Sequence, residues 1–241
     1  MGILTHAFGP SDHPLNLPTS ISRRPAIKKV TGKTVFENVA ADPALAAIFN
    51  NAMSSFSASV APAAMKVYDF SGVHTLVDVG GGHGQVLTTI LRAYPTMRGI
   101  LFELPHVIAS AAPVIETSGL ADRCRLESGD FFTAVPAGGD AYLLKHVIHN
   151  WHDEDATILL KNIRTALGEI PGGRVILLES VLRPGNEPDY GKLMDVQMLV
   201  MPGGRERTEA EFAELFSRTG FALRRIEPTE SALSVVEARA I

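Results

Sequence analysis

The chain of 241 residues is 46% hydrophobic and 20% charged, which supports a substantial core and excludes wholesale disorder. A formal net charge of -4 gives no electrostatic footprint for DNA or RNA. The one cysteine, Cys124, excludes an internal disulfide framework and any Cys-rich zinc module.

Residues 1–33 read as an irregular segment, punctuated by Pro10, Pro14, Pro18 and Pro25 and basic at its end. Met1–His6 lacks the basic start of a secretory leader, and His6 stands where a myristoylation signal needs Ser or Thr. No apolar run is long enough to span a bilayer, so a membrane-free, cytoplasmic setting is expected.

A helical extension is expected over 34–72. There Leu45, Ile48, Phe49, Ala52, Phe56 and Val60 recur at helical spacing up to Pro62, which should interrupt or end the helix. From residue 73 onward strands and helices alternate. Strands are expected at 75–79, 99–103, 123–127, 141–145, 174–179, 223–226 and 233–238. The intervening helices are expected at 85–94, 105–116 (interrupted by Pro113), 153–167, 189–201 and 208–218; in the third of these Ile158, Leu159, Ile163 and Leu167 share a face. Strands rich in Val, Ile and Leu between amphipathic helices imply an α/β fold, a mostly parallel seven-stranded sheet covered on both faces. The last two strands are joined too tightly for a crossover helix and must form an antiparallel hairpin.

In such sheets ligands lie outside the carboxyl ends of the strands. The first strand runs into Gly80-Gly81-Gly82-His83-Gly84, where glycines let backbone approach a ligand and the next helix offers free N–H groups. The spacing misses the dinucleotide fingerprint, since Gln85 stands where its last glycine belongs, and no Lys follows as in a phosphate loop. Glu103 ends the second strand and is placed to accept from both hydroxyls of a ribose. Asp130, after the third strand, is placed to reach an adenine. Together they favour an adenosyl ligand without a diphosphate.

These stretches resemble the class I S-adenosylmethionine-dependent O-methyltransferases, the group of plant caffeate-type and bacterial polyketide enzymes. The resemblance rests on 77–84 (VDVGGGHG), 101–108 (LFELPHVI), 129–132 (GDFF), 144–151 (LKHVIHNW), Asp153-Glu154 and 203–208 (GGRERT). It implies a Rossmann-like methyltransferase domain over 73–241 with S-adenosylmethionine as cofactor, held by Asp78, Gly80, Gly82, Glu103, Leu104, Asp130, Phe131 and Lys145. It also implies that His149 is the base, with Glu179 and Glu206 in support. This chain departs in Glu103, where Asp is commoner, and in Asn150, where Asp is usual. Family members carry an N-terminal dimerisation domain that residues 1–33 do not resemble, although the family implies a homodimer.

Methyl transfer to a hydroxyl needs that hydroxyl deprotonated, a task suited to an imidazole just past the fourth strand. Glu179 or Glu206 could fix its tautomer. Met53, Phe56, Met198 and Met201 are candidates for contact with a flat acceptor, probed by flexible thioethers. His146, His149 and His152 suggest a metal by spacing, but His146 falls at a strand end, where alternation should send neighbours apart, so none is expected. Trp151 could stack on adenine or anchor a helix. The expected function is transfer of a methyl group to a small-molecule hydroxyl, phenolic in kind. The alternative is a protein that binds the same cofactor without methyl transfer.

Overall fold

The computed structural model describes residues 25–241. The expectations placed on the start of the chain fall mostly on residues 1–24, outside the described residues; the remainder of the segment expected to be irregular carries a helix, α1 (Ala26–Thr31). Next, α2 (Val35–Ala41) opens on a capping box between Thr34 and Glu37. The Asp42 carboxylate accepts from Ala44 and Leu45 N–H to start α3 (Pro43–Val67), with Pro43 in the first turn, where its missing N–H costs nothing.

Pro62 does not end α3, which continues to Val67. Val60, Ala61, Ala63 and Ala64 around it are buried, while Pro62 and Ala58, whose carbonyl loses its partner, both face water. Core packing therefore outweighs the cost of the proline, about 3 kcal/mol in a helix interior. Pro113 is carried in the same way on the exposed side of α5 (Pro105–Thr117). The first turns of α3 stand off the core, leaving Leu45 and Ile48 exposed. Among the described residues no helix is long and apolar enough to cross a membrane.

The remaining elements follow in the expected alternation: β1 (Thr75–Val79), α4 (Gln85–Ala93), β2 (Arg98–Glu103), α5, β3 (Cys124–Ser128), β4 (Ala141–Lys145), α6 (Asp153–Leu167) and β5 (Arg174–Glu179). Then come β6 (Val181–Leu182), α7 (Tyr190–Val200), β7 (Arg207–Thr208), α8 (Glu209–Ser217), β8 (Phe221–Pro228) and β9 (Ser234–Ala240). A 3-10 turn over Ile148–Asn150 and the short parallel pair β6–β7 were not legible as periodic patterns.

The seven-stranded sheet has the order β3-β2-β1-β4-β5-β9-β8, parallel except for β9, which runs against both β5 and β8. It is the expected class I methyltransferase fold. Alternation along β1 sends Leu76 to one face, against α3, α4 and α5, and Val77 and Val79 to the other, against α6 and α8. On α6 the inward face is Ala156, Leu159, Leu160, Ile163 and Leu167, whereas Ile158 is exposed, one position off the expected stripe. The strand order reverses between β1 and β4, so the loops after β1, β2 and β4 converge at one edge.

Candidate active site

The glycine loop leaves β1 with Gly80, Gly82 and Gly84 all at positive φ, a region closed to most side chains. Gly80 donates its N–H to the Phe102 carbonyl at 2.9 Å, and a Cβ there would press on Val147. At Gly81 a Cβ would overlap the Asp78 carboxylate and Leu101, so only glycine fits. The Glu103 carboxylate accepts from the Gly82 N–H at 3.2 Å and the Leu104 N–H at 2.8 Å, which fixes it beside the loop.

Asp78 is buried, and neither of its oxygens makes a well-formed hydrogen bond among the described residues. Burial pushes its pKa up to about 7, with Lys145 pulling down and Glu103 pushing up. A buried carboxylate without a donor is costly unless a ligand brings donors or positive charge. S-adenosylmethionine brings both, so the residues fit this group. Lys145, at the end of β4, forms no salt bridge among the described residues; its Nζ lies 5.9 Å from the centre of the Phe56 ring. Burial lowers its pKa, opposed by Asp78 and Glu179, so the ammonium answers both carboxylates. Asp130 stays exposed and accepts the Phe132 N–H at 2.9 Å, and Phe131 borders Gly80.

His149 sits in the 3-10 turn after β4 and is buried. Its Nδ1 lies 2.8 Å from Glu206 Oε1 and 3.6 Å from Glu179 Oε2. Glu179 Oε1 also accepts the backbone N–H groups of Val147 (3.1 Å) and His149 (3.3 Å), clamping the turn. With Nδ1 so engaged, Nε2 makes no hydrogen bond among the described residues and is the atom left for an acceptor. Burial lowers the imidazole's pKa, opposed by the Glu179 charge. Burial likewise raises Glu179 to about 7 and Glu206 to about 8, the latter helped by Asp195, which accepts the Glu206 N–H at 2.8 Å.

Three supporting residues escaped the sequence reading. Arg207 is buried and donates to Asp153 Oδ1 (2.7 Å) and to the Ile148 and Trp151 carbonyls, tying the turn to the start of α6. At Gly204 a Cβ would overlap the His149 carbonyl and Asn150, so the GGRERT stretch packs directly against the turn that carries His149. Asp195 is the third. The signal was present in GGRERT itself, but only packing tells which of its charges turn inward. A cleft of about 830 Å³ opens behind this support, lined by His152, Asp153, Asp195, Gly204 and Arg205.

The raised pKa values carry a stability signature. A carboxyl whose folded pKa exceeds its ordinary 4.5 holds a proton in the native state that the unfolded chain has lost. Stability is then full below about pH 4.5 and falls as pH rises toward 8, by about 1.4 kcal/mol per unit for each such group. Glu206→Gln removes one of these groups, so its melting temperature is expected to fall less than wild type between pH 5 and 8. Parallel curves in thermal melts would contradict the burial argument.

The metal argument from strand alternation is corrected by the structure. His146 leaves β4 in the left-handed conformation (φ 55°) just before the 3-10 turn, and its ring stacks on that of His149 with centroids 4.4 Å apart and an interplanar angle of 20°. Ligand atoms of His146, His149 and Glu179 lie within 4.8 Å of one another. Near-parallel rings, however, hold their in-plane lone pairs in separate planes, a poor arrangement for one tetrahedral ion. Trp151 packs among Phe36, Phe131 and Phe132. Phe56 stacks on His146, which brings α3 beside the His146–His149 pair. For the methionines the structure gives position only: Met53 one turn before Phe56, Met198 buried on the helix that carries Asp195, and Met201 half-buried just beyond it.

The family described as O-methyltransferase domain matches residues 20–222. The chain is 43% identical over 216 residues to the phenazine O-methyltransferase PhzM of Lysobacter antibioticus, covering 90% of this chain. It spans only 63% of that protein. The crystal structure of LaPhzM superposes with a TM-score of 0.86 at 42% identity, covering 91% of this chain and 66% of that one. The O-methyltransferase NcsB1 from neocarzinostatin biosynthesis, in complex with S-adenosyl-L-homocysteine and 1,4-dihydroxy-2-naphthoic acid, superposes at 0.81 with 32% identity, covering 91% and 65%.

Proposed function

The chain belongs to the O-methyltransferase family, and from that we propose that it moves a methyl group from S-adenosylmethionine to a phenolic hydroxyl of a small molecule, using His149 as the base. The observation that carries this reading is the buried His149–Glu206 contact of 2.8 Å at the edge where the glycine loop and Glu103 converge. The unit that does this spans 73–241, with 34–72 as a helical extension.

Bound S-adenosylmethionine supplies a methyl group made electrophilic by its positive sulfur. Glu103 would take the ribose hydroxyls, the Gly80–Gly82 backbone and Leu104 would border the nucleoside, and Asp130 and Phe131 would face the adenine. Asp78 and Lys145 would meet the charged part. Holding two reactants in line and dry can supply ~7–11 kcal/mol. The proton of the acceptor hydroxyl passes to His149 Nε2. Burial keeps that imidazole neutral and ready to accept it, and the carboxyl oxygens of Glu206 and Glu179 beside Nδ1 hold the ring in orientation as it does so. Phe56 and Met53 on α3, with Met198 and Met201 on α7, would line the acceptor. Neither a nucleic acid nor a membrane enters this reading. A cytoplasmic setting and a homodimer belong to it, and sedimentation of the purified chain checks the dimer.

Calorimetry with S-adenosylhomocysteine, and methylation assays over a panel of phenols, test the proposal; no heat and no product would refute it. Glu103→Ala should weaken S-adenosylhomocysteine about tenfold or more, as expected for bonds to a charged group worth about 1.5–3 kcal/mol. The acceptor KM should change far less. The reverse pattern would contradict the ribose assignment.

A further inference from the structure

The sheet carries a second group of charged side chains, well away from the base. Arg174 starts β5 and Glu179 ends it, so about 16 Å of strand separates the two. Arg174 stands directly opposite Arg239 on β9, and two positions earlier on β9 Glu237 stands opposite Arg225 of β8. Alternation puts Arg174, Glu237 and Arg239 on the face that packs against α3, the face of Ile176 and Val235.

Glu237 is buried, and its two oxygens accept from Arg225 Nε at 2.8 Å and Arg239 Nε at 3.1 Å. The terminal Nη groups of both arginines make no hydrogen bond among the described residues, and the two side chains are 40% and 43% exposed. Arg174 has no ion pair among the described residues; its Nη2 reaches only the Gly72 carbonyl, at 3.5 Å. Three guanidinium groups therefore share one carboxylate, and two of them face each other across neighbouring strands, where like charges repel. The acids of the adjoining loops are engaged elsewhere. Asp69 accepts from Ser71, Asp140 accepts the His74 and Thr75 N–H groups, and Glu230 pairs with Lys66.

A neutral group completes the cluster. Tyr68, just past α3, is buried, with the Arg225 guanidinium 4.5 Å from its ring centre. Its hydroxyl is sealed from water and makes no well-formed hydrogen bond, although Arg174, Arg225 and Glu237 all bear on it. Burial raises its pKa against the pull of the two arginines, so the hydroxyl keeps its proton as a donor. Buried native hydroxyls have partners as a rule, and an anion drawn between Arg174 and Arg225 would be one.

We propose that Arg174, Arg225, Arg239 and Tyr68 form a binding site for a phosphate group on the α3 face of the sheet. Guanidinium forks match the paired oxygens of such a group, and three cations against one carboxylate favour a dianion. The site is independent of the methyl-transfer reading.

Titration calorimetry at about pH 8 with inorganic phosphate and with glycerol phosphate, each against chloride at equal ionic strength, tests the site. One phosphate should bind per chain and saturate, and a tenfold excess over its Kd should raise Tm by about 3–6 °C. Arg174→Gln should weaken binding about tenfold or more. Tyr68→Phe keeps the ring beside Arg225 and should weaken binding about threefold to tenfold. Arg224→Gln, at an exposed neighbour outside the cluster, should leave binding as it is. Binding of the ester as well as the inorganic ion assigns the site to a phosphorylated metabolite; binding of the inorganic ion alone assigns it to free phosphate. No saturable binding, an equal response to chloride, full affinity in Arg174→Gln or an equal loss in Arg224→Gln overturns the site. Should Arg174→Gln not fold, full affinity in Tyr68→Phe overturns it as well.

Discussion

Replacing His149 by alanine should lower kcat by about 10²–10⁴-fold, the usual contribution of a positioned base, with S-adenosylhomocysteine binding little altered. The geometry makes the imidazole more than a nearby histidine. Its Nδ1 is held by Glu206 and its backbone by Glu179, so only Nε2 is left to meet a hydroxyl. Burial lowers its pKa, which keeps it neutral at pH 7 and able to take a proton. The loss should shrink for acidic phenols, which ionise without help, and should diminish as pH rises. Rates measured over a series of phenols of graded acidity check this. A variant that keeps full kcat on a weakly acidic phenol would remove the base assignment.

Gly204→Ala should be nearly as damaging, although the residue touches no substrate. Its Cβ would overlap the His149 carbonyl and the Asn150 backbone, and neither is the end of a flexible side chain. The same His149 carbonyl accepts the Arg205 N–H at 2.8 Å, so the turn cannot yield without breaking its own support. Overpacking of this kind costs typically ~1–3 kcal/mol or more. In a chain of this size that lowers the melting temperature by roughly 2–4 °C per kcal/mol. The surviving folded protein should lose most of its kcat, because the displaced turn carries the proposed base, yet still bind S-adenosylhomocysteine through the glycine loop and Glu103. Unchanged melting and turnover would show that the turn has slack the structure does not contain.

The two substitutions also separate what the chain displays from what it hides. His149, Glu103 and the glycine loop were legible because each follows a strand whose apolar run is plain, and parallel strands deliver their ends to one edge. The role of Gly204 was not, because nothing in a run of two glycines says which carbonyl will lie against it. Arg207 looked like one charge among several in GGRERT, yet it is buried and tied to Asp153. Pro62 read as an interruption or an end, and α3 runs through it because Pro62 and Ala58, whose carbonyl it leaves without a partner, both face water.

By itself, then, the order of residues determined the sheet, its antiparallel close and the glycine loop after β1, and it singled out His149 as the candidate base. These depend on local periodicity and on the spacing of a few side chains along one strand or turn. Only the tertiary structure decided that His146 lies against His149 instead of pointing away, that Asn150 bonds its carbonyl, and that Glu206, 57 residues further along the chain, meets Nδ1. Such contacts arise from the left-handed backbone at His146, from the turn that follows it and from packing between distant segments, and periodicity carries no information about any of these.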